Sequence, residues 1–221
     1  MVYTIFLQMA RSTPDNITDW ALTEFKDHYL DQKITKIAIF YYIYGILHHP
    51  LYRSMFAQNL QRDLPRVPMA VDFWQCSSIG QKLVRLHLDY EKAARFDLQW
   101  RENSKEPLSY KITGRMRLNL DSGSIEINSS LTLAGIPQRA FDYVLGTRSA
   151  LEWIVDQYRF EQDDEGNVTS DPNDPQDEQY IVQLIERVTT VSLETVDLVG
   201  QLPAKLDFAA PNAGRKTPLS L

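Results

Sequence analysis

The hydrophobic pattern of this chain changes its period part-way along, and this change limits the folds that the chain can adopt. Over about residues 17–95 apolar residues recur at helical spacing, as in Ile17, Trp20 and Ala21. From Tyr110 to Leu118 apolar and polar residues alternate, which is the period of a half-buried strand. A chain with helices first and strands later is predicted to be α+β.

The helical part contains start signals for several helices. Asn16 and Thr35 each precede an apolar run and are predicted N-caps, because their side-chain oxygens can accept a hydrogen bond from the first turn. Pro50 fits the first turn of a third helix. A fourth helix is predicted from about Phe73 to Glu91. We expect this helical half to pack on a small antiparallel sheet.

The sheet is predicted around one hairpin. Asp121-Ser122-Gly123 is a turn between the alternating segment and Ser124–Asn128. Short helices are expected after Gly135, and a last helical stretch from Tyr180 to about Gly200. Residues 161–178, which contain glycine and prolines, are predicted to form an acidic loop.

The formal net charge of −6 comes from that loop. Residues 161–178 carry eight acidic and no basic residues, and without them 23 basic residues face 21 acidic ones. Between Lys33 and Arg159 there are 17 basic and 12 acidic residues. An acidic run is commonly just a solvated surface, whereas a moderately basic body is compatible with phosphate contacts. The net charge therefore does not exclude a nucleic-acid partner.

The cysteine content and the apolar segments bear on the compartment. Cys76 is the only cysteine, which excludes an intrachain disulfide and fits a reducing compartment. No positive charge precedes the apolar residues at the start, so no secretory signal is predicted. The longest apolar run, Ile37–Leu47, is too short to span a bilayer. We expect a cytoplasmic protein without a membrane partner.

Catalytic patterns are weak throughout. Asp15 and Glu24-Phe25-Lys26 have the spacing of a metal-dependent nuclease, but residues two apart on a helix do not share a face. His48-His49 lacks the further ligands that a metal site needs, and structural roles are favoured. There is no glycine-rich phosphate loop, Gly-x-Ser-x-Gly or Cys-x-x-Cys motif. The chain is predicted to need no cofactor or metal and not to be an enzyme on its own.

Basic residues provide the remaining chemistry. Lys111, Arg115 and Arg117 share one face of the predicted strand, where neighbouring positions are about 7 Å apart, a spacing that suits phosphates or base edges. An ordinary solvated strand face is the alternative. Arg148 lies in the first turn of a predicted helix, where a cation is disfavoured unless it has a partner. The candidate DNA-binding residues are Lys111, Arg115, Arg117, Asn128, Arg53, Arg66 and Arg148.

Several blocks resemble the C-terminal target-recognition region of Type ISP restriction–modification enzymes. They occur in order between about Ile17 and Pro203, whereas residues 1–16 match less well and 204–221 are expected to be a flexible tail. The blocks are Ile17–Leu22, Ile39–His48, Leu64–Pro68, Leu86–Glu91, Gly135–Pro137, Asp142–Val144, Arg148–Trp153 and Asp171–Asp174. Such enzymes fuse nuclease, helicase-like ATPase, methyltransferase and target-recognition domains in one polypeptide that acts in phage defence.

The resemblance implies a domain at residues 17–203 that reads a short sequence in double-stranded DNA for those other domains. Their catalytic motifs are absent from this chain. A protein-docking module, or a remnant of a larger methyltransferase/helicase polypeptide without DNA binding of its own, is the alternative. The aromatic residues Tyr41, Tyr44 and Trp153 within the matched blocks are expected in the core because of their helical spacing.

Overall fold

A computed structural model describes residues 16–56, 67–103 and 105–207, and within them the predicted α+β class is confirmed. None of the described helices is both long and apolar enough to cross a membrane. The helices are α1 (Asp19–Tyr29), α2 (Lys36–His48), α3 (Pro50–Met55), α4 (Phe73–Leu88), α5 (Ala150–Gln157) and α6 (Tyr180–Val199). The strands are β1 (Met69–Ala70), β2 (Gln99–Glu102), β3 (Arg117–Asn119), β4 (Ser124–Glu126), β5 (Leu131–Ala134), β6 (Val144–Leu145), β7 (Arg148–Ser149), β8 (Glu161–Gln162), β9 (Val168–Ser170) and β10 (Leu206–Asp207).

Two of the three predicted helix starts are confirmed. The Thr35 side chain caps α2 by accepting a hydrogen bond from the Ala38 amide at 3.3 Å, and Pro50 opens α3. The Asn16 cap is wrong. The helix begins later, at Asp19, so Thr18 occupies the capping position and accepts from the Ala21 amide at 3.1 Å.

The chain divides into two compact units, one of residues 1–84 and 201–221 and the other of residues 85–200. In the first unit the buried Tyr42 hydroxyl donates to the Pro68 carbonyl and accepts from the Ala70 amide, both at 2.6 Å. These bonds fix the extended segment that forms β1. β1 then pairs antiparallel with β10, which lies in the predicted C-terminal tail.

Two glycines let α2 and α4 approach closely in the first unit. A Cβ atom on Gly80 would lie 1.8 Å from the Tyr41 carbonyl oxygen, and one on Gly45 would lie 2.7 Å from the Cys76 carbonyl oxygen. Both distances are shorter than any real contact of a Cβ atom. The backbones of the two helices therefore touch where larger residues would separate them.

A four-stranded antiparallel sheet in the order β2-β5-β4-β3 organises the second unit. Its inner face carries Trp100, Leu133 and Ile125, which join one apolar core with residues of α5 and α6. The Trp100 indole N–H donates to the buried Glu186 carboxylate on α6 at 2.8 Å. The predicted hairpin is confirmed as β3 and β4, joined by a turn at residues 120–123.

The predicted strand at residues 110–118 is wrong for most of its length, because only Arg117 and Leu118 belong to β3. In a sheet, a neighbouring strand would form hydrogen bonds with the backbone of residues 109–114, but here side chains form them. The Asn128 amide donates to the Ser109 and Lys111 carbonyls at 2.9 and 2.8 Å, and the Asn173 amide bonds both backbone groups of Ile112. Buried side chains still alternate here without a strand.

The acidic segment is more regular than the predicted loop. β8 and β9 form a short antiparallel hairpin within it. The Asp163 side chain accepts hydrogen bonds from the Asn167 and Glu165 backbone amides at 2.8 and 3.0 Å, which closes the turn. The Phe160 amide donates to the Gly114 carbonyl at 3.1 Å and anchors the hairpin to the rest of the second unit.

Candidate nucleic-acid interface

The four-stranded sheet has one polar face that points away from the core. The strand register places Arg101, Thr132, Glu126 and Arg117 side by side in one row across the four strands. Since adjacent strands lie about 4.8 Å apart, the two arginines stand on opposite edges of the sheet. We call this surface the outer sheet face. Its residues are Gln99, Arg101, Arg117, Asn119, Ser124, Glu126 and Thr132.

The outer sheet face is exposed on its two edge strands, whereas Ala134, which lies between Gln99 and Ser124 in the second row, is buried. Arg101 and Arg117 are exposed, and Glu126 between them is half-buried. Trp100 and Ile125 point to the opposite face and pack in the core, as the two-residue period of a strand requires. Arginine, asparagine, glutamine and threonine are among the side chains that read base edges in double-stranded DNA. The composition of this face therefore suits a nucleic acid.

A second cationic group lies around Asp156 on α5. The Asp156 carboxylate binds Arg115 Nη2 at 3.1 Å and Arg148 Nη1 at 2.5 Å. The Arg148 guanidinium also lies 5.6 Å from the centre of the Trp153 ring, which is within cation–π range. We call Arg115, Arg148, Trp153 and Asp156 the Asp156 cluster. In the chain, Arg115 lies 41 residues before Asp156 and Arg148 lies 8 residues before it, so the cluster joins separate segments.

The charges of the Asp156 cluster stabilise the ionised carboxylate. The hydrogen bond from Arg148 lowers the pKa of Asp156 most, and the positive charges of Arg148 and Arg115 lower it further. Asp156 thus stays ionised at neutral pH and holds two guanidinium groups in place. Each guanidinium has five N–H donors, so both retain donors for a phosphate.

The structure separates the predicted strand face into different sites. Lys111 is exposed on the irregular segment, Arg115 belongs to the Asp156 cluster, and Arg117 lies on β3. Lys111 makes no ion pair with any described residue, in contrast to Arg115. The three cations belong to one unit but do not form the single strand face that the alternation predicted.

Asn128 has internal hydrogen bonds at both ends of its amide. Besides donating to the 109–111 segment, its oxygen accepts from the Ser130 and Leu131 amides at 2.8 and 3.0 Å. Those bonds give it a structural task at the bend between β4 and β5. Arg53 is half-buried on α3 of the first unit, where its charge adds to burial in lowering the pKa of His48. Arg66 lies outside the described residues.

The two adjacent histidines are held by backbone groups. His48 Nδ1 lies 2.8 Å from the Tyr44 carbonyl oxygen, and His49 Nε2 lies 2.7 Å from that of Pro203. Across residues 16–56, 67–103 and 105–207, no group of His, Cys, Asp and Glu side chains is arranged to hold a metal ion. These contacts favour the structural interpretation of both histidines.

Sequence reasoning missed the strand that carries Gln99 and Arg101. Leu98-Gln99-Trp100-Arg101 does alternate, but four residues give a weak signal without a neighbouring turn. It also misplaced Trp153, which is 41% exposed beneath Arg148 instead of buried in the core. Helical spacing alone does not distinguish a core tryptophan from one that stacks on a surface cation.

Comparison with known proteins gives a consistent result. A family model described as the Type ISP C-terminal specificity domain matches residues 6–186. Among curated proteins no significant relative is found. The resemblance to the specificity region of Type ISP enzymes is thereby confirmed.

Solved structures with a similar fold include three DNA complexes. The cryoEM structure of the DrdV–DNA complex has a TM-score of 0.74 and 35% identity, over 86% of this chain and 20% of that chain. A nuclease-deletion mutant of the Type ISP restriction–modification enzyme LlaGI, in complex with a DNA substrate mimic, has a TM-score of 0.66 and 36% identity. The match covers 77% of this chain and 14% of that chain. The ATP-dependent Type ISP restriction–modification enzyme LlaBIII, bound to DNA, has a TM-score of 0.69 and 29% identity. The match covers 80% of this chain and 12% of that chain. This chain spans at most a fifth of those polypeptides.

Proposed function

The chain belongs to the family of Type ISP C-terminal specificity domains, and on that premise we propose that it recognises a short sequence in double-stranded DNA. The observation that carries this proposal is the outer sheet face, which is polar, exposed and has an arginine on each edge strand. Contacts to phosphates position a protein on DNA, and contacts to base edges specify the sequence. The second unit offers side chains for both tasks.

Lys111, Arg115 and Arg148 are the proposed phosphate contacts. Lys111 is exposed, and Asp156 orients both arginines without consuming all their donors. The proposed role is non-catalytic. The methyltransferase, helicase and nuclease activities would belong to other domains of a larger restriction–modification polypeptide, in line with the small share of each DNA-bound chain that this chain matches.

Selection from a random duplex pool with the full chain, at low and moderate salt, tests this proposal. We expect one asymmetric motif to be enriched. Lys111→Gln should reduce the slope of log affinity against log salt by about one, because one phosphate contact is lost. Lys82→Gln, on an exposed residue of α4, is the matched control and should leave the slope unchanged. Failure of the wild-type chain to enrich any motif would contradict DNA recognition.

Protein docking is the second candidate function, and exposed apolar residues of the first unit favour it. Val71 is 77% exposed, Ile37 56% and Trp20 47%. Exposed apolar residues mark a protein-binding site where they form one continuous patch. Capture of the remaining restriction–modification domains by this chain, without enrichment of a DNA motif, would support docking over recognition.

A further inference from the structure

The β3–β4 hairpin carries two opposite charges on its outer side that are not joined in an ion pair. Arg117 lies directly opposite Glu126 in the strand register, at a position where Cβ atoms are about 5 Å apart. Within the described part of the chain neither side chain forms an ion pair. Asn119 lies opposite Ser124 in the next outward pair. The hairpin therefore presents a cation, a carboxylate, an amide and a hydroxyl group to solvent.

The carboxylate in this set argues for contact with bases instead of phosphates. Glu126 is half-buried between Thr132 and Arg117, so it cannot easily turn away from a molecule that covers the hairpin. Arg117 and Glu126 together carry no net charge, so they attract a phosphate less than the Asp156 cluster does, where two arginines face one carboxylate. Base edges in the major groove instead offer the amino groups of cytosine N4 and adenine N6, from which a carboxylate can accept hydrogen bonds.

The hairpin also has the right size and position. The major groove is about 12 Å wide and admits a two-stranded ribbon, whereas a four-stranded sheet is too broad. β3 is an edge strand, so the β3–β4 ribbon can enter while β5 and β2 remain outside. Arg115 and Arg117 flank the buried Met116 and both side chains are exposed. The Asp156 cluster thus begins next to the ribbon, where a phosphate backbone would border the groove.

We propose that the β3–β4 hairpin enters the major groove and that Arg117 reads a guanine through its O6 and N7 atoms, with Glu126 selecting an amino-bearing base, cytosine or adenine, beside it. This inference rests on the proposed DNA recognition and assigns its specificity. Arg117 is suited to the task because a guanidinium binds O6 and N7 with two parallel hydrogen bonds. Lysine at the same position keeps the charge but lacks this planar, two-pronged geometry.

The charge-preserving variant Arg117→Lys tests the assignment in the full chain. Motif selection is carried out with the wild-type chain, Arg117→Lys and the matched control Arg85→Lys, which changes an exposed arginine on α4 outside the outer sheet face. Arg117→Lys should lower the preference for one guanine about tenfold and leave the salt dependence unchanged. Arg85→Lys should leave the preference at that guanine unchanged.

A modified base identifies the atom that is read. Duplexes with 7-deazaguanine at the affected position lack the N7 acceptor. The wild-type chain should bind them about tenfold more weakly than the unmodified duplex, whereas Arg117→Lys should bind both duplexes about equally. An enriched motif that Arg117→Lys leaves intact would overturn this inference but retain DNA recognition. No enriched motif with the wild-type chain would overturn both. Loss of all binding by a folded Arg117→Lys variant, judged by thermal unfolding, would also contradict a base-reading role.

Discussion

At Leu30 the first unit leaves α1 through a left-handed backbone conformation, with φ 51° and ψ 36°. Glycine usually takes this position, because a Cβ atom crowds the following carbonyl and costs about 1 kcal/mol. Leu30 is also 89% exposed, so its side chain gains little from packing. This residue therefore combines backbone strain with an exposed apolar group.

Replacement of Leu30 by glycine should relieve that strain. We expect Leu30→Gly to raise the free energy of unfolding by about 1 kcal/mol, measured by urea denaturation. Leu30→Ala removes nearly the same side chain but keeps the Cβ atom, so it should leave stability close to the wild-type value. Equal stabilisation by both variants would mean that the exposed side chain, and not the backbone, carries the cost.

The hydrogen-bond partners of single residues could not be predicted from the sequence. Asn128 stands at a strand end and has base-reading chemistry, so the sequence made it a candidate contact. The structure shows its amide bonded to Ser109, Lys111, Ser130 and Leu131. Such partners come from chain segments on both sides of the residue, and no local pattern encodes them. The same is true of Asp156, which joins Arg115 to Arg148.

At the scale of elements, most local signals predicted structure correctly, with the Asn16 cap as an exception, whereas predictions that depend on distant partners did not. Thr35 and Pro50 mark helix starts because their effects act within one turn. The hairpin turn at residues 120–123 is local in the same sense. The segment at residues 109–116 alternates like a strand, yet Asn128 and Asn173 supply its hydrogen bonds. Alternation predicts which side chains are buried, but the partner of the backbone decides whether a strand forms.

The contact between α2 and α4 depends on glycine at Gly80. A Cβ atom there would overlap the Tyr41 carbonyl, which belongs to a helix backbone and cannot move alone. Gly80→Ala should therefore lower the free energy of unfolding by at least about 3 kcal/mol, measured by thermal or urea denaturation. Ser78→Ala, on an exposed position of the same helix, is the matched control and should stay within about 0.5 kcal/mol of the wild type. A mild effect of Gly80→Ala would show that the helices can separate at little cost.

For the molecule as a whole, the net charge of −6 conceals the basic residues of the proposed DNA interface, which adjoin an acidic hairpin. The Phe160 amide bonds the Gly114 carbonyl, so the root of the hairpin lies one residue from Arg115. The hairpin therefore begins next to a proposed phosphate contact, and its negative charge opposes non-specific attraction to DNA. Recognition of a particular sequence benefits from such an arrangement, because specificity is the difference between matched and random DNA.

Neutralisation of part of the acidic segment at residues 161–178, which contains this hairpin, tests the effect. Asp164→Asn combined with Glu178→Gln removes two exposed charges and leaves Asp163, whose pKa is lowered by its hydrogen bonds from Asn167, to close the turn. We expect affinity for random duplex DNA to rise about two- to fivefold at low salt, and the gain to shrink above about 0.1 M salt as screening increases. Motif selection should return the same sequence as the wild type.

Gln176→Ala, an uncharged change in the same exposed segment, is the control and should leave random-duplex affinity unchanged. Equilibrium binding to one random duplex at several salt concentrations separates the outcomes. A gain that persists at high salt would point to a direct contact of these acids, and an unchanged affinity would remove them from the interface. A gain confined to low salt means that the acidic hairpin tunes specificity by field alone, which reconciles an acidic chain with a DNA partner.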